Sequence, residues 1–296
     1  MSRFLCCFAI CAVALAQPGP GVDDRSPYIL TEPVPGSDVP VQLTFVMTRD
    51  AIYTPIALRK PKGDGPFPAV LFFAGNGGGG MPEAKASILN RGYISDRFLA
   101  AGYVAAWIRY RAEVPGAYRK AEKLVATRRI LSRPPLDYDD LISIIDYVKG
   151  LKFVDPKRVG LVGNSHGGEL ILKATSEIDV AAAAPSEPAA AEFLGIEGEE
   201  PVPKPANKAE TMERIRRINT PLLIMGRDGD HLQGTFRLVY ELLKEAGKQV
   251  EWVSYKHPRH GFIFPGRGKD GAYHPDEVQV AAIEGLLKFF GRYLKP

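Results

Sequence analysis

Apolar runs and helix-spaced apolar residues alternate along most of the chain, and this alternation predicts the order of its elements. Ala69–Ala74 is a continuous apolar run, which is typical of a strand buried on both faces of a sheet. Helical spacing predicts helices around Leu141–Val148 and over Leu232–Ala246 and Pro275–Leu294. The other predicted strands are Val41–Val46, Ala51–Arg59, Tyr103–Arg109, Val159–Gly163, Val180–Ala184, Leu222–Gly226 and Val250–Tyr255.

Strands that alternate with helices predict an α/β protein with a mostly parallel sheet, whose functional loops follow the carboxyl ends of the strands. One such loop reads Gly163-Asn164-Ser165-His166-Gly167 and leads into a predicted helix. In this G-x-S-x-G pattern the glycines let strand and helix approach, while the turn exposes the hydroxyl of Ser165. The sequence therefore predicts a nucleophilic serine; a glycine-rich turn with an incidental serine is the alternative.

A nucleophilic serine needs a base, and the chain has five histidines. His260 follows the last predicted strand and is followed by Gly261, which allows a tight loop, and by Phe262, which can anchor that loop. His257 lies nearer the strand end and is followed by proline, so we interpret it as a wall or solvent residue. His260 is therefore the predicted base, while His166 matters through its backbone N–H.

The base needs a carboxylate that holds its tautomer. In the chain order serine, acid, histidine, the acid follows the strand Leu222–Gly226, where Asp228 and Asp230 compete. Leu232 can start the packed face of the next helix, which favours Asp230, whereas Asp228 could fix the turn. Asp228 stays the alternative, and Glu187 is a weaker third candidate.

The loop after Ala69–Ala74 is rich in glycine and can turn backbone N–H groups toward a substrate oxygen. We predict an oxyanion hole made by the N–H groups of His166 and Asn76, with Gly75 beside them. The same loop matches G-x-G-x-x-G, but a proline interrupts the expected helix and Arg109 stands where an acidic residue should end the next strand. No cofactor and no metal are therefore expected.

The motif Gly163-Asn164-Ser165-His166-Gly167, the two aspartates and His260-Gly261-Phe262, in this order, resemble the α/β-hydrolase superfamily. The segments Phe98–Tyr103 and Asp155–Gly160 resemble segments found in the dienelactone-hydrolase and prolyl-oligopeptidase-like branches of this superfamily. The resemblance implies an α/β-hydrolase fold, with a mostly parallel eight-stranded sheet and helices on both faces. Two departures stand out: Ala74 replaces the histidine of a His-Gly oxyanion motif, and the nucleophile is serine rather than the cysteine of dienelactone hydrolases proper.

The resemblance implies hydrolysis of carboxylic esters through an acyl-enzyme, with a small-molecule ester or a short peptide as substrate. A small exopeptidase or amidase is the first alternative, because the same residues would cleave an amide. A catalytically inactive binding protein is the alternative from another class. A metal enzyme is a further rival, because His257 and His260 lie three residues apart and Asp228, Asp230 and His231 cluster.

The 296 residues contain three cysteines, all within the first eleven. They belong to residues 1–16, where a short positive start, an apolar run and Ala14-Leu15-Ala16 predict an export signal, so we expect a periplasmic or extracellular protein. Residues 17–40 are rich in proline and glycine and predict a linker or irregular arm. The hydrolase domain is then 41–296, with a possible lid at 185–219, and no membrane span is expected in the mature chain.

The formal net charge is +4, and basic and acidic residues are interspersed. Nucleic-acid binding is therefore not expected, since it needs a longer basic surface. Arg109 and Arg111 end one predicted strand and could face the site, but we interpret both as surface charges.

Overall fold

The structure is a computed structural model that describes residues 29–73, 75, 80–111, 133–198 and 200–295. The predicted export signal lies outside these residues, as does 17–28 of the predicted arm. The strands are β1 (Leu30–Val34), β2 (Ser37–Met47), β3 (Tyr53–Arg59), β4 (Phe67–Phe73), β5 (Val104–Ile108), β6 (Val154–Asn164), β7 (Ala182–Ser186), β8 (Ile196–Glu197), β9 (Lys204–Pro205), β10 (Leu222–Arg227) and β11 (Val250–Tyr255).

Helices follow most of the strands, as the alternating pattern predicts. None of the described helices is long and apolar enough to cross a membrane. The helices are α1 (Gly80–Asn90), α2 (Tyr93–Ala100), α3 (Arg133–Lys149), α4 (His166–Thr175), α5 (Ala191–Leu194), α6 (Lys208–Arg216), α7 (Gln233–Glu245) and α8 (Glu277–Leu294).

Nine strands form one sheet in the order β1-β2-β3-β5-β4-β6-β7-β10-β11. From β5 to β11 neighbouring strands are parallel, while β1, β2 and β3 join antiparallel at one edge. The predicted α/β-hydrolase architecture is confirmed, but the expected count of eight strands is one too low. The extra strand is Leu30–Val34, which pairs with β2 where an irregular arm was expected.

Helices cover both faces of the sheet because its central strands are apolar on both. In β4, Leu71 and Phe73 face the core under α3 and α4, while Val70 and Phe72 face the core under α2 and α8. All four side chains are fully buried. This two-sided burial fixes the register of the central strands, so the loops at their carboxyl ends are held in place.

The segment 185–219 contains α5, α6 and the short β8–β9 hairpin. It is tied to the first turn of α7, where the carboxylate of Glu200 accepts hydrogen bonds from the N–H groups of Gly234 at 2.8 Å and Thr235 at 2.9 Å. A carboxylate is favourable there because the N-terminal end of a helix is positive. The role of this segment as a lid stays a prediction.

Candidate active site

Ser165 lies on a sharp turn between the end of β6 and the start of α4. Its backbone has φ 52° and ψ −116°, a strained conformation for a residue with a side chain. A Cβ atom at Gly163 would lie 2.3 Å from the carbonyl oxygen of Gly167, so strand and helix could not approach this closely with a larger residue. The glycines therefore permit the turn that holds Ser165 at the carboxyl end of β6.

His260 lies in the loop after β11, and a carboxylate from the loop after β10 contacts its ring. Nδ1 of His260 is 2.8 Å from Oδ2 of Asp230. Gly261 has φ 73°, a left-handed conformation that favours glycine, and its N–H donates to Oε2 of Glu187 at 2.8 Å. Phe262 is fully buried. The loop is thus fixed directly after His260.

The carboxylate of Asp230 is buried and hydrogen-bonded at both oxygens. Oδ1 accepts from the N–H of Leu232 at 2.9 Å, and Oδ2 accepts from Nε of Arg227 at 2.8 Å. Burial raises the pKa of Asp230, but hydrogen bonds from His260, Leu232 and Arg227 outweigh it, and the pKa lies below its usual value. Asp230 is therefore ionised at neutral pH and can hold the Nδ1–H tautomer of His260.

Asp228, the alternative acid, is exposed and makes other contacts. Its Oδ1 accepts a hydrogen bond from the hydroxyl of Ser254, and its N–H donates to the carbonyl of Tyr255 at 2.9 Å. These bonds fix the turn between β10 and the following loop. Of the two aspartates, Asp230 is the one that reaches His260.

Ser165 and His260 line the same cavity of about 480 Å³. Gly75 also lines it, and Trp107 and Phe264 give it an apolar wall, with ring centroids 4.7 Å apart. A cavity of this size can hold a small organic molecule. The serine and the imidazole therefore face one binding space.

Two of the three predicted oxyanion residues lie within the described structure. His166 is the first residue of α4, so its N–H lies at the positive end of that helix. The His166 ring is engaged elsewhere, with Nε2 2.9 Å from Oδ2 of Asp137. A Cβ atom on Gly75 would lie 3.5 Å from Cβ of Ser165. His166 and Gly75 thus both border the serine, whereas Asn76 lies outside the described residues.

Three arginines, Arg91, Arg109 and Arg259, line the cavity, and none of its described lining residues is acidic. The side chain of Arg109 is 12% exposed and lies 3.4 Å from the half-exposed carboxylate of Glu83. Among the described residues, Nε of Arg109 has no hydrogen-bond partner. Burial lowers the pKa of Arg109, although a guanidinium stays charged at neutral pH. The cavity is therefore electropositive beside Ser165.

The prediction that Arg109 and Arg111 are surface charges is wrong. Arg109 lines the cavity, while Arg111 is buried and bonds Asp140 and Asp50. The sequence does contain one indication that Arg109 belongs to the site. Arg109 directly follows β5, at the edge of the sheet that carries the other site residues. Arg259, adjacent to His260 in sequence, carried the same signal.

Glu187 is wholly buried directly after β7 and contacts the ends of β6 and β10 and the loop that carries His260. Its Oε2 accepts from Nδ2 of Asn164 at 2.9 Å, in addition to the N–H of Gly261. Its Oε1 lies 3.6 Å from Nδ1 of His260 and 3.5 Å from Nε of Arg227. Burial raises the pKa of Glu187 to about 7. A second carboxylate therefore lies beside the His260–Asp230 pair.

Asp230, His231 and His260 each offer a metal-ligand atom, and these atoms lie within 4.8 Å of one another. The Asp230 and His260 atoms are 2.8 Å apart, whereas ligands of a tetrahedral zinc ion bound at about 2.0–2.1 Å are separated by about 3.3 Å. The guanidinium of Arg227 also lies against Asp230. This spacing fits a histidine–carboxylate hydrogen bond better than a cation site.

The dienelactone hydrolase family model matches residues 57–294 of the chain. No curated protein sequence matches the chain. Residues 57–294 contain Ser165, Asp230 and His260, as well as the strands from which these side chains extend. The match agrees with the resemblance inferred from the motifs.

Solved structures with the α/β-hydrolase fold are similar to the whole domain. A candidate dienelactone hydrolase from Klebsiella pneumoniae subsp. pneumoniae has a TM-score of 0.63 and 19% identity, covering 87% of this chain and 100% of that chain. Esterase 2 of Thermogutta terrifontis has a TM-score of 0.60 and 24% identity, and the match covers 90% of this chain and 98% of that chain. Dipeptidyl peptidase 4 of Porphyromonas gingivalis has a TM-score of 0.60 and 18% identity, and the match covers 86% of this chain and 36% of that chain.

Proposed function

Since the chain belongs to the dienelactone hydrolase family, we propose that it is a serine hydrolase that cleaves carboxylic esters. The observation that carries this proposal is the bond between Nδ1 of His260 and Asp230 at 2.8 Å, in a cavity that His260 shares with the strained Ser165. These three groups are a nucleophile, a base and a group that orients the base, in the chain order known for this fold.

In the proposed reaction, Oγ of Ser165 attacks the ester carbonyl carbon while Nε2 of His260 takes the hydroxyl proton. The imidazolium then gives this proton to the leaving alcohol, and the acyl group stays on Ser165. A water molecule, deprotonated by His260, attacks the acyl carbon; the bond to Oγ of Ser165 then breaks, Oγ takes the proton back from the imidazolium, and the carboxylic acid leaves. Asp230 stays ionised and stabilises the imidazolium in both halves of the reaction.

The negative oxygen of each tetrahedral intermediate needs hydrogen-bond donors. We propose the N–H of His166, at the positive end of α4, as the first donor. The loop that begins at Gly75 supplies the second, with the N–H of Asn76 as the sequence-based candidate. The closeness of Gly75 to Ser165 supports this assignment.

A fluorophosphonate probe tests the proposal directly, because it reacts with activated serines. We expect one adduct on the intact protein, located on Ser165 by peptide mapping. The structurally similar Thermogutta esterase 2 is described as phosphoramylated by tabun, an observation of the same kind on that protein. A folded protein that stays unlabelled after prolonged exposure would contradict a serine hydrolase.

A substrate screen distinguishes an esterase from a peptidase. The similarity to dipeptidyl peptidase 4 makes short peptides the competing substrate class. We expect hydrolysis of short-chain esters and no release of amine from aminoacyl amides of matched size. Higher kcat/KM on the amides would favour an exopeptidase or amidase over an esterase.

We further propose that the preferred ester carries a carboxylate. Arg91, Arg109 and Arg259 line the cavity, and Nε of the mostly buried Arg109 has no hydrogen-bond partner within the described part of the chain. An unpaired buried donor is unfavourable until a ligand supplies an acceptor. A carboxylate or similar anion matches the planar guanidinium and offsets the charge of the cavity.

Arg109→Gln is expected to reduce kcat/KM for monoethyl succinate about 10- to 100-fold, mainly through KM, because a hydrogen bond to a charged group contributes about 1.5–3 kcal/mol. Ethyl butyrate, which has the same acyl length and no charge, is expected to change far less. Arg217→Gln is the matched control, since Arg217 is exposed on the segment after α6 and pairs with Glu213. Initial rates in a pH-stat measure all six combinations, and equal losses on both esters would contradict a carboxylate subsite.

A further inference from the structure

Two carboxylates, rather than one, lie within reach of the Nδ1 atom of His260. Asp230 makes the shorter contact, at 2.8 Å through Oδ2, and Glu187 makes the longer one, at 3.6 Å through Oε1. They come from different strand ends, with Glu187 after β7 and Asp230 after β10. An arrangement with one orienting acid would need only one of them.

The surroundings of Glu187 keep its side chain aimed at the imidazole. Its Oε2 is occupied by two donors, Nδ2 of Asn164 and the N–H of Gly261, so Oε1 is the oxygen directed toward His260 and Arg227. Among the described residues, Oε1 has no hydrogen-bond partner, although the side chain is wholly buried. An unpartnered buried carboxylate oxygen is unfavourable and needs an explanation.

The backbone of Glu187 is also strained. Its φ of 47° is in the left-handed region, which residues with a side chain adopt infrequently. The N–H of Glu187 donates to the carbonyl of Met225 at 2.7 Å, which ties this conformation to β10. Strain of this kind persists where the surrounding structure holds it, and it occurs often at functional sites.

We infer that Glu187 is a reserve acceptor for the Nδ1 proton of His260, a positioning residue that substitutes for Asp230 when the His260–Asp230 hydrogen bond is lost. This inference rests on the proposed function. In the reserve arrangement the imidazole turns slightly, so that its Nδ1–H donates to Oε1 of Glu187 instead of Oδ2 of Asp230. No proton passes to either carboxylate, and the proton from Ser165 still moves only to and from Nε2.

The charged groups that face Glu187 are Arg227, Asp230 and His260. Burial raises the pKa of Glu187 to about 7, the N–H of Gly261 opposes this rise, and the charge of Asp230 adds to it. Replacing Asp230 by asparagine removes that charge, so the pKa of Glu187 moves down. Glu187 is then ionised at neutral pH and able to accept, and this ability is lost as the pH falls through its pKa.

A double-mutant cycle tests the inference. Asp230→Asn is expected to lower kcat/KM about 10²-fold, less than the roughly 10⁴-fold loss typical of an orienting aspartate with no substitute. Glu187→Gln alone is expected to lower it about threefold, since glutamine keeps an acceptor for Gly261. In the Asp230→Asn background the same exchange is expected to lower it about 10²-fold further. If Glu187→Gln lowered kcat/KM by the same factor in the wild type and in the Asp230→Asn variant, the reserve role would be overturned and Glu187 would have a purely structural role.

The pH profile of the Asp230→Asn enzyme gives a second readout, which does not require the double variant to fold. Its activity needs a neutral His260 and an ionised Glu187, so log kcat/KM is expected to fall with a slope above one at acid pH. The wild-type profile is expected to keep a slope of one, because Asp230 stays ionised there. A slope of one in both enzymes would contradict the inference.

The controls separate this inference from the proposed function. Glu213→Gln replaces an exposed carboxylate by an amide in the same way, and it is expected to leave kcat/KM unchanged both in the wild type and in the Asp230→Asn variant. Thermal unfolding of each variant checks that it is folded. If fluorophosphonate labels Ser165 but the cycle is additive, only the reserve role fails; if Ser165 is unlabelled in the wild type, the proposed function itself fails.

Discussion

Ser165→Ala is expected to reduce kcat for ester hydrolysis by a factor on the order of 10⁵–10⁶, to a rate near background. Without Oγ no acyl-enzyme forms, and the cavity retains only binding and oxyanion stabilisation. KM is expected to change little, because the substrate contacts outside Oγ remain. The measurement is the initial rate on a short p-nitrophenyl ester, together with fluorophosphonate labelling, which the variant should lose.

The same substitution also has an expected effect on stability. Alanine at position 165 keeps the strained backbone with φ 52°, so thermal unfolding should move by no more than a few degrees. A variant that unfolds normally yet retains a tenth of the wild-type kcat would contradict a serine nucleophile. If that remaining activity disappeared with a chelator, a metal-dependent reaction would replace the serine mechanism as the explanation.

The central residues of the candidate site could be selected from the sequence because the fold places the ends of its parallel strands by simple rules. Parallel strands end at one edge, and the chain order of serine, acid and histidine assigns one residue to each of three strand ends. The choice between Asp228 and Asp230 was harder, because the two differ only in how the turn after β10 directs their side chains. Turn residues favoured Asp230, and its 2.8 Å contact with His260 agrees with that choice.

Other parts of the site depend on three-dimensional packing that no local pattern records. Arg109 directly follows β5 at the edge of the sheet that carries the site, but whether its side chain faces solvent or the cavity depends on packing around it, which the sequence pattern does not show. Glu187 was only a weak candidate acid, because its approach to His260 requires a left-handed backbone at a residue with a long side chain. The additional strand β1 was missed because proline and glycine around Leu30–Val34 favour a loop.

Gly163→Ala is expected to lower kcat by at least about 10²-fold and to destabilise the protein by about 1–3 kcal/mol. The new Cβ would lie 2.3 Å from the oxygen and 2.5 Å from the carbon of the Gly167 carbonyl, distances that rigid backbone atoms cannot tolerate. The start of α4 must therefore move, and both Oγ of Ser165 and the N–H of His166 move with it. Loss of rate follows because attack and oxyanion binding each depend on sub-ångström placement.

Gly291→Ala is the matched control, because a Cβ at Gly291 within α8 would meet no atom of the described residues within 4 Å, apart from its chain neighbours and the backbone of its own helix. Alanine is favoured over glycine inside a helix by about 0.5–1 kcal/mol, so this variant is expected to be slightly more stable and fully active. The pair of substitutions adds the same methyl group at a crowded position near the end of β6 and at an open position within α8. If Gly163→Ala matched Gly291→Ala in both kcat and thermal unfolding, the close contact at the turn would not be what places Ser165, and flexibility of the 163–168 turn would have to explain its tolerance.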